Sequence, residues 1–169
     1  MMNHTLRRSR QALPSEVCTD ILNHASTGVL ALSTSDGQPY AVPLNFVHNS
    51  GTLYFHSANA GHKLDLIRDN SHASFCIVAD DHVVPERYTT FYRSVIAFGK
   101  VRIVEDAEEA RRAIAQLGRK YVPQASDAEL QKEIDAYWSD LTMIAMSIDQ
   151  LSGKEAIDLA KMREEESNA

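Results

Sequence analysis

Apolar positions along this chain switch between helical and strand periods several times. After Leu13-Pro14, residues Val17, Ile21, Leu22 and Ala25 recur at helical spacing behind Ser15, which predicts a helix running toward Gly28. The pattern then shortens. Gly28 to Thr34 is an apolar, partly β-branched run, Asp36-Gly37 is a hairpin signal, and Tyr40 to Val47 is the next run. A second turn at Asn49-Ser50-Gly51 leads into Thr52 to His56, and strands joined by such tight turns predict an antiparallel meander. Leu64 and Ile67 behind Gly61 predict a short helix between Ser57 and Asn70. Ala73 to Ala79 is a fourth strand, residues 80–90 a polar connection, and Phe91 to Val104 a long or bent strand pair in which Gly99 marks a bulge. Ala110, Ile114 and Leu117 share one face of a helix from Ala107 to Tyr121, Pro123 stops it, and Asp127 to Trp138 is a second amphipathic helix. Leu141 to Ile148 is the last strand, and fraying is expected from Lys154 onward.

The fold class is therefore mainly β with peripheral helices, and short, regularly spaced strands favour a small barrel over a doubly wound parallel sheet. The expected organisation is a mobile arm at 1–13, a single domain at 14–153 and a polar, acidic tail at 154–169. A chain of 169 residues with 44% hydrophobic content builds a core without disulfide or structural metal. Its net charge of −6 argues against a general nucleic-acid binder, which needs a basic face. Arg7, Arg8 and Arg10 at one end and Glu164, Glu165 and Glu166 at the other read as solvated tails. No apolar stretch is long enough to cross a bilayer and the start lacks a secretory signal, so a cytoplasmic protein is expected, with no membrane partner. Cys18 and Cys76, far apart among apolar residues, fit a reducing compartment and read as buried and inert; the sequon Asn3-His4-Thr5 carries no meaning there.

Common catalytic signatures are missing. There is no Gly-x-Gly-x-x-Gly after a strand, no phosphate loop ending in Gly-Lys-Ser/Thr and no Gly-x-Ser-x-Gly. His48, His56 and His62 have no cysteine or carboxylate at ligand spacing, so no metal site is assigned. The informative stretch runs from Leu53 to Asp65, where a strand passes through a polar turn into a helix. A helix start offers unpaired N–H donors and partial positive charge; Gly61 allows close approach, Ser57 adds a hydroxyl, and Lys63 with His62 adds cationic groups. This is an anion site, with an ordinary strand-to-helix turn as the plain alternative. Tyr92-Arg93-Ser94 supplies further donors, or is simply an exposed strand start. Pro43 opens the ladder of its strand, leaving backbone groups for the polar edge of a flat heterocycle, or marking a plain edge strand.

Taken in order, Gly28-Val29-Leu30-Ala31-Leu32, Asp36-Gly37-x-Pro39-Tyr40, Val42-Pro43-Leu44-Asn45-Phe46, Tyr54-Phe55-His56-Ser57 with Gly61-x-Lys63, and Tyr92-Arg93-Ser94-Val95-Ile96-x-Phe98-Gly99 resemble the pyridoxamine 5'-phosphate oxidase-like flavoproteins, most closely their nitroimidazole-resistance (Nim-type) branch. The resemblance covers about residues 14–150 and implies a split β-barrel binding FMN at the interface of a homodimer. It implies that Val42, Pro43, Leu44 and Asn45 line the isoalloxazine edge through backbone contacts, and that His56, Ser57, His62 and Lys63 surround the ribityl and phosphate groups. Tyr92, Arg93 and Ser94 then help hold the cofactor, from the same subunit or the other, and Trp138 covers the flavin or packs at the interface, with a plain core tryptophan as the alternative. His56 takes the role of proton donor or cofactor contact, or is a structural histidine.

The chain departs from the vitamin B6 oxidases at its end, where Lys161-Met162-Arg163-Glu164-Glu165-Glu166 replaces a substrate-binding segment with arginine and histidine. An acidic tail is a poor phosphate clamp, which argues against pyridoxamine phosphate as substrate. The resemblance thus implies an FMN-dependent oxidoreductase for small molecules, nitroaromatic or quinone-like, whose chemistry belongs to the flavin. A flavin module without turnover and a haem-binding split barrel are the alternatives.

Overall fold

The computed structural model describes residues 6–167, so the sequon at Asn3 lies outside the described residues. One antiparallel sheet contains β1 (Thr27–Ser33), β2 (Pro39–Asn45), β3 (Val47–Asn49), β4 (Thr52–Ala58), β5 (His72–Val84), β6 (Thr89–Ile103) and β7 (Leu141–Glu155), in the spatial order β2-β1-β5-β6-β7-β4-β3. The helices are α1 (Ser15–His24), α2 (His62–Asp69), α3 (Ala107–Tyr121), α4 (Asp127–Tyr137) and α5 (Ile157–Ser167). No helix among the described residues is long and apolar enough to cross a membrane.

The strand order holds a strong constraint. β2 and β3 stand at opposite edges of the sheet, yet only Phe46 separates them in sequence. Two residue steps span about 7 Å, so the two edges meet at Phe46 and the sheet curls into a barrel. No ladder joins β2 to β3, and the barrel is split. The expected three-strand meander is corrected here: β1–β2 and β3–β4 are separate hairpins on opposite edges, because the Tyr40–Val47 run breaks at Phe46.

Phe46 is fully buried and sets its ring edge-on to Phe75, which in turn meets Phe55. Leu30, Leu53, Ile77, Val95, Ala97, Ile144 and Met146 fill the rest of the barrel. A crossing residue that leaves both ladders has backbone groups to satisfy. Tyr121, the last residue of α3, does this with one hydroxyl: it accepts from the Phe46 N–H at 3.0 Å and directs its proton to the carbonyls of Phe46, at 3.0 Å, and Ser26. The preceding Lys120 lays its ammonium 4.0 Å from the centre of the Phe46 ring. That nitrogen is buried without a hydrogen-bond acceptor, and burial pushes its pKa down. Just beyond the crossing, His48 Nε2 accepts from the Gly51 N–H at 3.2 Å while Nδ1 faces Asn23 Oδ1 at 2.9 Å, an arrangement that suits the neutral ring. Burial and then the charge of Lys120 lower the pKa of His48.

Four segments differ from expectation. Of residues 80–90 only 85–88 form a connection: β5 and β6 pair out to Val84↔Thr89 as a two-stranded ribbon, polar because water reaches both faces. Phe91 to Val104 is part of one strand rather than two, and the bulge at Gly99 is present, with a register shift opposite Ile148 to Gln150. A Cβ at Gly99 would strike the Ser147 carbonyl, so only glycine fits. At the end, β7 runs to Glu155 and α5 follows, where fraying was expected. Within the stretch read as an arm, Gln11 and Leu13 are buried, and the Leu13 N–H donates to Gly153 O at 3.1 Å.

Tyr121→Phe keeps the ring and removes the hydroxyl that serves the crossing. The expected loss is about 1–3 kcal/mol, read as a lower urea midpoint at unchanged slope. Because the folded state resists protonating His48, acidification below its ordinary 6.5 favours the unfolded chain, and stability falls as pH drops through the lowered value. In His48→Gln, the fall in melting temperature between about pH 7 and pH 5 should be smaller than in the wild type.

Candidate functional site

Along β4, Leu53, Phe55 and Ser57 turn into the barrel and Tyr54 and His56 turn outward. Ser57 is the polar member of the inner row, placed where the strand leaves the core. Four residues later the chain reverses at Gly61, whose φ of 139° is open to glycine and strained for other residues. Its carbonyl accepts the N–H groups of Leu64 and Asp65, so the amides of His62 and Lys63 start α2 outside its ladder. Lys63 Nζ donates to Ser57 Oγ at 2.9 Å. The His62 ring stands perpendicular to Tyr40 of β2, with centroids 5.0 Å apart. Tyr40, Ser57, His62 and Lys63 thus converge from three elements. An ammonium, a hydroxyl and free helix-start amides are the donor set for a phosphate group.

β2 runs away from this cluster as an edge strand, paired with β1 only. Val42 and Leu44 face the core, while Pro43 and Asn45 are exposed on the outer side, where Pro43 stands opposite Val29. The Asn45 side chain donates through Nδ2 to Ser26 O at 2.9 Å.

The remaining sequence-selected residues divide by face. His56 is exposed and lies opposite Met143, on the outer side of the sheet and away from Ser57. The structure does not bring His56 into the Ser57–Lys63 cluster. On β6, Tyr92 and Ser94 alternate with Arg93. Arg93 turns inward, with Nε 3.2 Å from Glu155 Oε2 and Nη1 3.5 Å from Asp80. Tyr92 lies under the Lys154 ammonium, 5.6 Å from the ring centre. Trp138 is half-buried against the cluster that holds Met143, Ala110 and Ala113, with the Arg111 guanidinium 4.2 Å above its ring. Cys18 is buried, but Cys76 is only half-buried, and burial raises both thiol pKa values.

Two features escaped the sequence. Glu155 is completely buried and takes Arg93 on one oxygen and Arg163 of α5 on the other, at 2.8 Å, while Gln11 donates to its backbone carbonyl. Arg163 is eight residues away, but Arg93 and Gln11 lie 62 and 144 residues away, beyond any local spacing. The second is a groove of about 650 Å³ on the outer sheet face, lined by Ala31, Ser74, Phe98, Lys100 and Asp149 among others.

A family model described as pyridoxamine 5'-phosphate oxidase matches residues 14–155. The chain belongs to that family, and its open, mainly antiparallel sheet is the corresponding split barrel. No curated protein matches the sequence. Among solved structures, the chain is similar to a candidate 5-nitroimidazole antibiotic resistance protein from Bacteroides thetaiotaomicron: 25% identity over 85% of this chain and 86% of that one, TM-score 0.70. It is also similar to an FAD-binding protein from Mesorhizobium loti, with 26% identity, 86% and 97% coverage and TM-score 0.59. A conserved hypothetical protein from Mycobacterium tuberculosis, 20% identical over 89% and 90% of the two chains with TM-score 0.76, shares the fold.

Glu155→Gln removes the charge that faces two guanidinium groups. Breaking a buried ion pair on one side costs about 3–5 kcal/mol. Arg93 and Arg163 are partly exposed and partly solvated, so the expected loss in urea unfolding is at the lower end, about 3 kcal/mol.

Proposed function

We propose that this protein is an FMN-dependent oxidoreductase acting on small molecules of the nitroaromatic or quinone-like class, working as a cytoplasmic homodimer. The observation that carries the reading is the Lys63–Ser57 pair at the start of α2, which supplies the donors for one terminal phosphate. One cationic anchor at one helix start suits a monophosphate, which favours FMN over FAD. Family membership and the similarity to an FAD-binding protein support a flavin.

The bound flavin supplies hydride or electron transfer. Lys63, Ser57 and the α2 amides hold its phosphate and so set the position of the ring. The open edge of β2 presents backbone groups to the polar rim of that ring, and Pro43 keeps another strand from pairing there.

The homodimer is supported by the strand pattern. In β1, the outward residues Val29 and Ala31 are as apolar as the inward Leu30 and Leu32. Neighbouring strands extend this: Cys76 on β5 and Ile96 on β6 stand in register with Val29, Phe98 lies beyond Ser74 in register with Ala31, and Val78 prolongs the same outer face opposite Ser94. Val78 is 64% exposed. Strands apolar on both faces are built to be covered on both, and a second copy covers the outer one.

FMN titrated into the protein should quench flavin fluorescence with saturation, and Lys63→Met should weaken binding by about 10- to 150-fold, the worth of a hydrogen bond to a charged group. Equal affinity of variant and wild type would falsify the phosphate site.

A further inference from the structure

Helix α2 is tied down at both ends. Near its last residue, Asp69 accepts the Ser35 N–H of the β1–β2 hairpin at 2.7 Å, and Asn70 Nδ2 donates to Ser33 Oγ at 3.1 Å. Between the ends, Leu64, Leu66 and Ile67 are buried in the core. At the start, Lys63 reaches Ser57 of β4 and the His62 ring meets Tyr40 of β2 edge-on. Hairpin, helix and β4 form one frame, so widening the gap between α2 and β2 means parting the two rings that close it.

Those rings have no other polar task. Tyr40 begins the inward row of β2, ahead of Val42 and Leu44, and is half-buried; His62 is exposed. Among the described residues, neither the Tyr40 hydroxyl nor an imidazole nitrogen of His62 makes a hydrogen bond. The edge-to-face contact, with planes at 89°, holds the imidazole in one orientation beside the first amides of α2. No side chain caps those amides, because the residue at the cap is Gly61.

From this we infer that the Tyr40–His62 pair is a specificity gate: it admits a terminal phosphate and turns away a dinucleotide, so that the site takes FMN in preference to FAD. The inference rests on the flavin site proposed above and names what that site rejects. A terminal phosphate has three oxygens besides the one that joins it to the ribityl chain. The cluster meets them with the Lys63–Ser57 pair, the free amides of α2 and the imidazole. In FAD one of the three becomes the bridge to a second phosphate, with ribose and adenine behind it.

That bridge has one way out. Ser57 is buried, so the Lys63–Ser57 side leads into the barrel, and the amide side leads into the helix. The remaining side is closed by the two rings, and the second phosphate has to separate them. Charge works in the same direction. A phosphomonoester carries about −1.5 to −2 at neutral pH, whereas each phosphate of a dinucleotide has lost its second ionisation and attracts the Lys63 ammonium less.

Isothermal titration calorimetry of FMN and of FAD into the full chain tests the gate, with His62→Ala, Tyr40→Ala and Tyr40→Phe beside the wild type and every fold checked by circular dichroism. The wild type should bind FMN at least about tenfold more tightly than FAD. FAD should bind His62→Ala and Tyr40→Ala about 3- to 10-fold more tightly than it binds the wild type, the worth of the ring contact it no longer has to break. Tyr40→Phe keeps that contact and should match the wild type within about twofold. The Tyr40 ring packs on the core, so if Tyr40→Ala does not fold, the exposed His62→Ala decides alone. Equal binding of FMN and FAD by the wild type, unchanged FAD affinity in His62→Ala, or a preference narrowed only by weaker FMN binding would overturn the gate and leave the flavin site standing. A wild type that binds neither flavin would overturn both.

Discussion

Everything in this molecule is arranged around a crossing one residue long. Phe46 carries the chain from one edge of a seven-stranded sheet to the other, and a flat sheet of that width would need far more chain to make the connection. Curvature is therefore forced by connectivity, and the energy that sustains it comes from the crossing itself. The buried Phe46 ring joins the Phe75–Phe55 stack, and a single tyrosine hydroxyl from α3 satisfies the backbone groups that both ladders give up. Lys120 beside it is a less comfortable solution, with an ammonium buried against a ring and no acceptor in reach.

The site follows from the curl. Bringing the edges together places β2 beside β4, and the first turn of α2 lies where they approach. Tyr40, Ser57, His62 and Lys63 meet because three elements end at one mouth of the barrel. The same curl leaves β2 with one unpaired edge, so a row of open backbone groups runs directly from the phosphate donors. The outer face, apolar on strands that are already apolar inside, is the other product of this architecture.

Much of this was legible in the chain. Helices α3 and α4 begin where their periodicity places them, α1 begins at Ser15, which is its first residue rather than its cap, and the Gly99 bulge and the Asp36-Gly37 hairpin were visible as glycine signals. The Ser57–Lys63 pairing followed from a strand, a glycine and a helix start within seven residues. What was not legible was long-range. The break at Phe46 looks like the middle of an apolar run, since nothing local distinguishes a strand continuing from a strand crossing edges. Residues 80–90 look like a loop because a ribbon wet on both faces loses the apolar alternation that marks a strand. The alternation that sends His56 away from Ser57, and Arg93 away from Tyr92 and Ser94, was available in principle, but it becomes decisive only once the inner face is known.

The central claim is that the start of α2 anchors a flavin through its phosphate. The most direct test compares FMN with riboflavin, the same ring and ribityl chain without the phosphate, by fluorescence titration of the wild-type protein. FMN is expected to bind at least about 100-fold more tightly, as charge-assisted hydrogen bonds to a phosphate would give. Equal affinity for the two flavins would contradict it.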